Sequence, residues 1–246
     1  NWDVYDVGKQ FWTLTVHPSN SEVLFGGDLA KGVFKSQDHG QTWTELNNGI
    51  NAVIIYDVDV DPNDRNHLLA ATAAGVYEKQ GDGAWIGTSY FPQTFAFSVA
   101  FDPMGDGSTY YAGTQGWLAK TINSGQDWVY STPELPYNFV TDIAVDPNGA
   151  NVFITTRAAS GGGSVYKITN PQTLDLVGPV KSDSSAFNVV VIDPNNPDHI
   201  FAGSGDHLGA KVLGNLYESM DGGGSWSLSG LTNVIVNALL IDTRDS

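Results

Sequence analysis

Aromatic rings beside carboxylates are the side chains with which a protein handles a sugar. The ring stacks on the C–H face of the pyranose, the acid takes the hydroxyls, and two carboxyls at the right separation hydrolyse the glycosidic bond. This chain offers rings at Trp12, Tyr56, Phe95 and Trp117 and acids at Asp28, Asp57, Asp142 and Asp206, with His207 and Arg157 in comparable segments. Trp12, Tyr56, Asp57, Trp117, Arg157, Asp206 and His207 are the expected ligand contacts. The competing reading is structural: each loop Asp bonds its own turn and each ring packs between neighbouring sheets.

Two other constellations carry less. Asp57, Asp59, Asp61, Asn63 and Asp64 are rich in oxygen, but alternate residues of a strand share a face and the glycine of a calcium loop is absent, so an acidic strand and turn is expected. Ser160 to Ser164 is glycine-rich without the lysine and helix of a phosphate loop, and reads as a flexible connection. Neither a metal nor a cofactor is assigned.

The elements that position these residues follow from an internal repeat. Ser36, Asp38, Gly40 and Trp43 recur in type and spacing as Thr121, Asn123, Gly125 and Trp128 and as Ser219, Asp221, Gly223 and Trp226, with a weaker copy ending at Trp85. In phase with it, an apolar run ends in His17-Pro18, Asp61-Pro62, Asp102-Pro103, Asp146-Pro147, Asp193-Pro194 and Asp242-Thr243, at spacings of 44, 41, 44, 47 and 49 residues. Alternating, β-branched and aromatic segments with Gly, Asn, Asp and Pro between them make four short strands per unit. Units of this length and patterning are blades of an all-β propeller. Five full blades are expected over about 11–50, 51–91, 92–135, 136–180 and 181–231, within one propeller domain spanning 1–246. Residues 1–5 read as a fourth strand and 237–242 as a first strand, so the five blades are expected to be part of a larger ring, of seven blades for instance, that is incomplete at the C-terminus; the alternative is a compact five-bladed ring with leftover ends.

The eight-residue motif resembles the Asp-box, or BNR repeat, of the sialidase-like superfamily, in which it occupies the hairpin between third and fourth strands, away from the ligand face. The resemblance implies a structural role for Ser36, Asp38, Gly40, Trp43, Asn123, Gly125, Trp128, Ser219, Asp221, Gly223 and Trp226. A sialidase itself is disfavoured, because three arginines hold the substrate carboxylate there. Of Arg65, Arg157 and Arg244, the only arginines here, Arg157 alone is placed to meet a ligand. The stretch from Leu24 to Gly32 resembles the opening repeat of xyloglucanase-type glycoside hydrolases, which implies that Asp28 is catalytic. In that family the opposing carboxylate comes from a second propeller, which these five units do not contain.

A formal charge of −16 repels phosphate backbones and anionic headgroups, leaving neutral glycans, cations or basic proteins as partners. The absence of cysteine excludes disulfides and thiolate chemistry, and no apolar run has the length of a membrane span. The chain opens without a basic and apolar leader, as a mature exported start would. The expected function is a secreted or cell-surface carbohydrate-active propeller, glycan-binding or hydrolytic. The alternative is a noncatalytic extracellular scaffold for protein contacts.

Overall fold

In a computed structural model, residues 8–52, 54–88, 95–135, 138–168, 170, 173–206 and 212–242 are described, with the side chains of 177–179 left aside. Every regular element among them is a strand. The first sheet holds β1 (Phe11–Val16), β2 (Leu24–Asp28), β3 (Gly32–Ser36) and β4 (Thr44–Glu45), and the second β5 (Ile55–Val60), β6 (His67–Thr72), β7 (Gly75–Gln80) and β8 (Ile86–Gly87). The third holds β9 (Ser98–Phe101), β10 (Tyr110–Gly113), β11 (Leu118–Thr121) and β12 (Val129–Tyr130). The fourth runs through β13 (Asn138–Val145), β14 (Val152–Ala158), β15 (Gly163–Ile168) and β16 (Leu176–Asp183), and the fifth through β17 (Phe187–Asp193), β18 (Asn196–Asp206), β19 (Val212–Ser219) and β20 (Ser227–Val234). All five are four-stranded meanders in sequence order, the blades of an all-β propeller.

The first strand of a blade carries its most informative irregularity. The register of β1 slips between Phe11 and Thr13, that of β5 between Ile55 and Asp57, that of β13 between Val140 and Asp142, and that of β17 between Phe187 and Val189. A bulge leaves one residue unpaired and re-aims its side chain. The bulged residues are therefore Trp12, Tyr56, Thr141 and Asn188, and counting back from the Asp-Pro turn puts Phe97 at the same position in the third blade.

Contacts divide the chain into two compact units, one formed by 1–101, 105–112 and 121–128, the other by 102–104, 113–120 and 129–246. In the first unit, Phe25 and Val33 of blade 1 pack on Val58, Leu68 and Trp85 of blade 2, and Leu69 and Val76 of blade 2 pack on Val99, Phe101 and Tyr110 of blade 3. Close approach is built in at Gly27, where a Cβ would lie 2.6 Å from Cγ2 of Ile55. The second unit repeats the scheme, with Phe153 and Val165 of blade 4 against Val190, Ile200 and Tyr217 of blade 5.

The stretch 237–242, expected as a first strand, is not one, since no second strand among the described residues supplies a ladder for its backbone groups. It nonetheless begins like a first strand. Val236 N donates to Ser204 O at 3.1 Å, as Ala96 N does to Thr72 O and Val140 N to Thr114 O, both at 3.0 Å. A Cβ on Gly203 would meet Val236 at 2.5 Å, as one on Gly27 would meet Ile55. The expected strand at 1–5 lies outside the described residues, as do His207 and Arg244.

Candidate functional site

In the first unit the bulge position is aromatic in three successive blades: Trp12, Tyr56 and Phe97. Tyr56 and Phe97 have ring centroids 5.2 Å apart, and Phe97 stacks on the exposed Phe95 at 6.2 Å with only 9° between planes. Trp12 is half-exposed. It stands one residue before Thr13, whose hydroxyl donates to Asp57 Oδ1 at 3.0 Å, so the entries of β1 and β5 are tied together just beneath their rings. The second unit places Thr141 and Asn188 at this position, and both turn their polar ends to backbone: Thr141 Oγ1 donates to Phe187 O, and Asn188 Nδ2 donates to Gly205 O and Val236 O.

The acids beside the rings are committed to backbone. Asp28, buried at the end of β2, accepts from Gln10 N through one oxygen and from Ala30 N through the other, both at 2.8 Å. Asp57 accepts from Val58 N at 2.9 Å and, across the blade junction, from Val99 N at 3.1 Å. Asp59 repeats this two residues on, taking Val60 N and Phe101 N, and Asp142 does so in the second unit with Ile143 N and Val190 N. These are clips between first strands of adjacent blades. Crowding by protein atoms raises the Asp57 carboxyl above the usual carboxylate range, and the same desolvation, with added repulsion from Asp57 and Asp61, pushes Asp59 up to about 7. Asp57, expected as a ligand contact, thus has both oxygens engaged within the fold.

The hairpin turns work locally. Ser36 Oγ donates to Asp38 Oδ1 and accepts from Gly40 N, Asp38 accepts from Thr42 through backbone and hydroxyl, and Trp43 Nε1 donates to Gly40 O at 2.9 Å. The turn at Ser219 to Trp226 reproduces every one of these bonds, with Ser225 in place of Thr42. In the third copy Thr121 Oγ1 donates to Asn123 and accepts from Gly125 N. Donors to the ionised form, led by the Thr42 and Ser225 hydroxyls, hold Asp38 and Asp221 down at about 2.

In the second unit Trp117 meets Tyr130 edge-on at 6.3 Å. Arg157 pairs with Asp206 at 3.2 Å, so two expected ligand contacts are found together as partners. Sequence reasoning missed the acid Asp183 at the end of β16. One of its oxygens accepts from Ser204 Oγ, Tyr217 OH and Asn215 Nδ2, which sew blade 4 to blade 5 and hold its pKa below the ordinary value against the cost of burial.

Sequence reasoning also missed a paired histidine motif. The buried His67 bridges Asp61 Oδ2 at 3.2 Å and Glu78 Oε1 at 2.6 Å, and Tyr110 OH donates to the other Glu78 oxygen. His199 bridges Asp193 and Glu218 in the same way. Burial opposes the charge on His67, but Glu78 and then Asp61 outweigh it and hold the imidazole above its usual range. A signal existed: the residue after the third-strand aromatic is Glu78 or Glu218 where the second strand carries His, whereas blades 1 and 4 have Lys35 and Lys167 there.

No family model matches the chain. The oligoxyloglucan-reducing end-specific xyloglucanase of Emericella nidulans is 27% identical in an alignment 212 residues long that, gaps aside, covers 68% of this chain and 26% of that protein. Among solved structures, an ancestral GH74 enzyme matches 93% of the chain and 32% of its own length at 19% identity with a TM-score of 0.71. The GH74 xyloglucanase of Xanthomonas campestris matches 89% of the chain and 38% of its own length at 19% identity, with a TM-score of 0.66. Hydrazine synthase of Kuenenia stuttgartiensis matches 92% of the chain at 15% identity with a TM-score of 0.68, so the likeness is one of fold. The chain spans about a quarter of the curated relative and about a third of the GH74 enzymes. These matches correct the expected kinship: the propeller resembles GH74-type enzymes, not the BNR or sialidase-like superfamily. The eight-residue turns are short-range hydrogen bonding that recurs wherever a tight hairpin needs it, and they carry no family assignment on their own.

Proposed function

We propose that the chain is the part of a secreted carbohydrate-active protein that binds a neutral glycan, and that Trp12, Tyr56 and Phe97 form its binding surface, extended by Phe95. The observation that carries this reading is the bulge position, aromatic in three successive blades and polar in the next two. Rings that served packing alone would be buried. Phe95 is exposed, and Tyr56 and Phe97 are half-buried, Phe97 lying parallel to Phe95 and Tyr56 tilted 45° to Phe97. A cluster of partly exposed rings offers apolar surface to the C–H faces of a sugar. The net charge of −16 favours a neutral polymer over an acidic one, and the 27% identity to a xyloglucanase makes xyloglucan the first polymer to test.

The reading is one of binding. Hydrolysis needs two carboxyls about 5 to 10 Å apart across the bond, and Asp28 spends both oxygens on Gln10 and Ala30 amides. Titration calorimetry with xyloglucan oligosaccharides tests the proposal. Tyr56→Ala should weaken binding about ten- to a hundredfold, the loss typical of one stacked aromatic, while Thr141→Ala leaves it unchanged. Binding that survives Tyr56→Ala, or no binding to any neutral cell-wall glycan, would sink it. Turnover abolished by Asp28→Asn with binding intact would restore the catalytic role of that acid.

A further inference from the structure

The hairpin between β7 and β8 is the weak copy of the recurring turn, and it departs from the others at its organising residue. Where they carry Ser36, Thr121 or Ser219, whose hydroxyl donates to a side chain two residues on and accepts an amide four residues on, this one carries Lys79. Lys79 is only 7% exposed, and its ammonium donates to Gly81 O at 2.9 Å and to Gly83 O, so the turn closes around a charge instead of a hydroxyl. An ammonium has three N–H donors, and the third meets no acceptor among the described residues. Burial, with the Lys35 charge adding to it, lowers the Lys79 pKa against the pull of Asp82. A buried charge in this position is short of a counter-ion.

That ammonium borders a cavity of about 200 Å³ between blades 1 and 2, walled by Phe25 and Leu68 and open to solvent beside Asn48 and Asn66. Lys35 and Arg65 line it too, which gathers three of the chain's eleven basic residues at one opening in a molecule of net charge −16. Lys35 lies 5.6 Å from the centroid of the Phe25 ring, and Arg65 Nη1 donates to Ser19 Oγ at 3.4 Å. Among the described residues none of the three cations forms an ion pair. The two acids of the lining, Glu45 and Asp82, set against three cations leave one positive charge to be matched. We propose that the cavity is a site for a small hydroxylated monocarboxylate of the hexuronate kind, its carboxylate held by Lys79, Lys35 and Arg65 and its hydroxyls by Asn48, Asn66 and the two acids. A dianion would meet Glu45 and Asp82 as repulsion. The volume falls below the roughly 300 to 1,000 Å³ of sites for drug-sized ligands, so the occupant is a single ring and not a chain. Arg65 and Asn66 stand in the turn that follows β5, at the opposite end of that strand from Tyr56, so this site shares no residue with the aromatic surface and does not rest on it.

The test titrates sodium D-glucuronate into the 246-residue chain at fixed pH and ionic strength, with D-glucose as the uncharged counterpart and inorganic phosphate as the dianion, and follows amide shifts by NMR. Glucuronate should bind and move the amides of Lys79, Gly81 and Gly83; glucose should not bind, and phosphate should bind more weakly. Lys79→Met should abolish binding. Lys35→Met and Arg65→Gln should each weaken it about tenfold, the loss of one charge-assisted hydrogen bond, and they carry the test if Lys79→Met does not fold. Lys31→Gln, which removes an exposed cation outside the cavity, should change nothing. The proposal is overturned if glucuronate does not bind, if glucose binds as well, if phosphate binds as tightly, or if the cation variants leave glucuronate binding intact.

Discussion

Asp38 in the first hairpin turn and Asp59 in β5 are the same side chain, each accepting backbone amide protons, yet their pKa values move in opposite directions. Asp38 sits at about 2 because hydroxyl and amide donors reach it from its own turn while water still solvates it. Asp59 sits at about 7 because its amide donors, one of them across a blade junction, come with crowding protein and two neighbouring acids. Hydrogen bonds to a carboxylate lower its pKa only where burial does not cost more. The turn thus favours its charge, and the junction disfavours it.

That contrast is open to breakage at both ends. The largest effect should come from Asp57→Ala, which strips an acceptor from Val58 N, Val99 N and the Thr13 hydroxyl at once. Urea unfolding should show a loss of about 2 kcal/mol, the cost of burying unsatisfied donors, and a loss no larger than that of an ordinary surface substitution would mean that water replaces the clip.

A smaller effect is expected from pH. The folded chain holds a proton on Asp59 that the unfolded chain, titrating near the ordinary 3.8, has released. Its stabilising contribution is therefore complete below about pH 4 and is lost as pH rises through about 7. Asp59→Asn should flatten the fall in unfolding midpoint between pH 5 and 8; an unchanged slope would assign that fall to other groups, His67 first among them.

The smallest effect belongs to the turns, and its sign is reversed. Asp38 and Asp221 contribute stability above the ordinary 3.8 that is lost as pH falls through about 2. The double substitution Asp38→Asn, Asp221→Asn should lower the melting temperature slightly at pH 6 and converge on the parent at pH 2. Equal losses at both pH values would show that shape, not charge, is what the turn needs.

The hairpin turns were legible because every partner lies within four residues: Ser36 with Gly40, Asp38 with Thr42, Ser219 with Gly223. The junction clips were not. Asp57 meets Val99 after 42 residues and Asp142 meets Val190 after 48, spans equal to a whole blade. No residue near Asp57 in sequence marks it as a clip. The repeat period was the available signal, since a polar residue one blade before an apolar first-strand position is placed to reach its amide.

By itself the sequence determined the five successive blades, the order of strands within each and the turns between third and fourth strands, because these rest on period-two patterning and contacts a few residues apart. Tertiary structure decided which acids serve their own turn and which are clips between blades, and which aromatics gather between Tyr56 and Phe95. Those outcomes depend on which surfaces of different blades meet. A leucine at position 14 reads the same as a valine at position 58 until the packing shows that one is covered and the other is not.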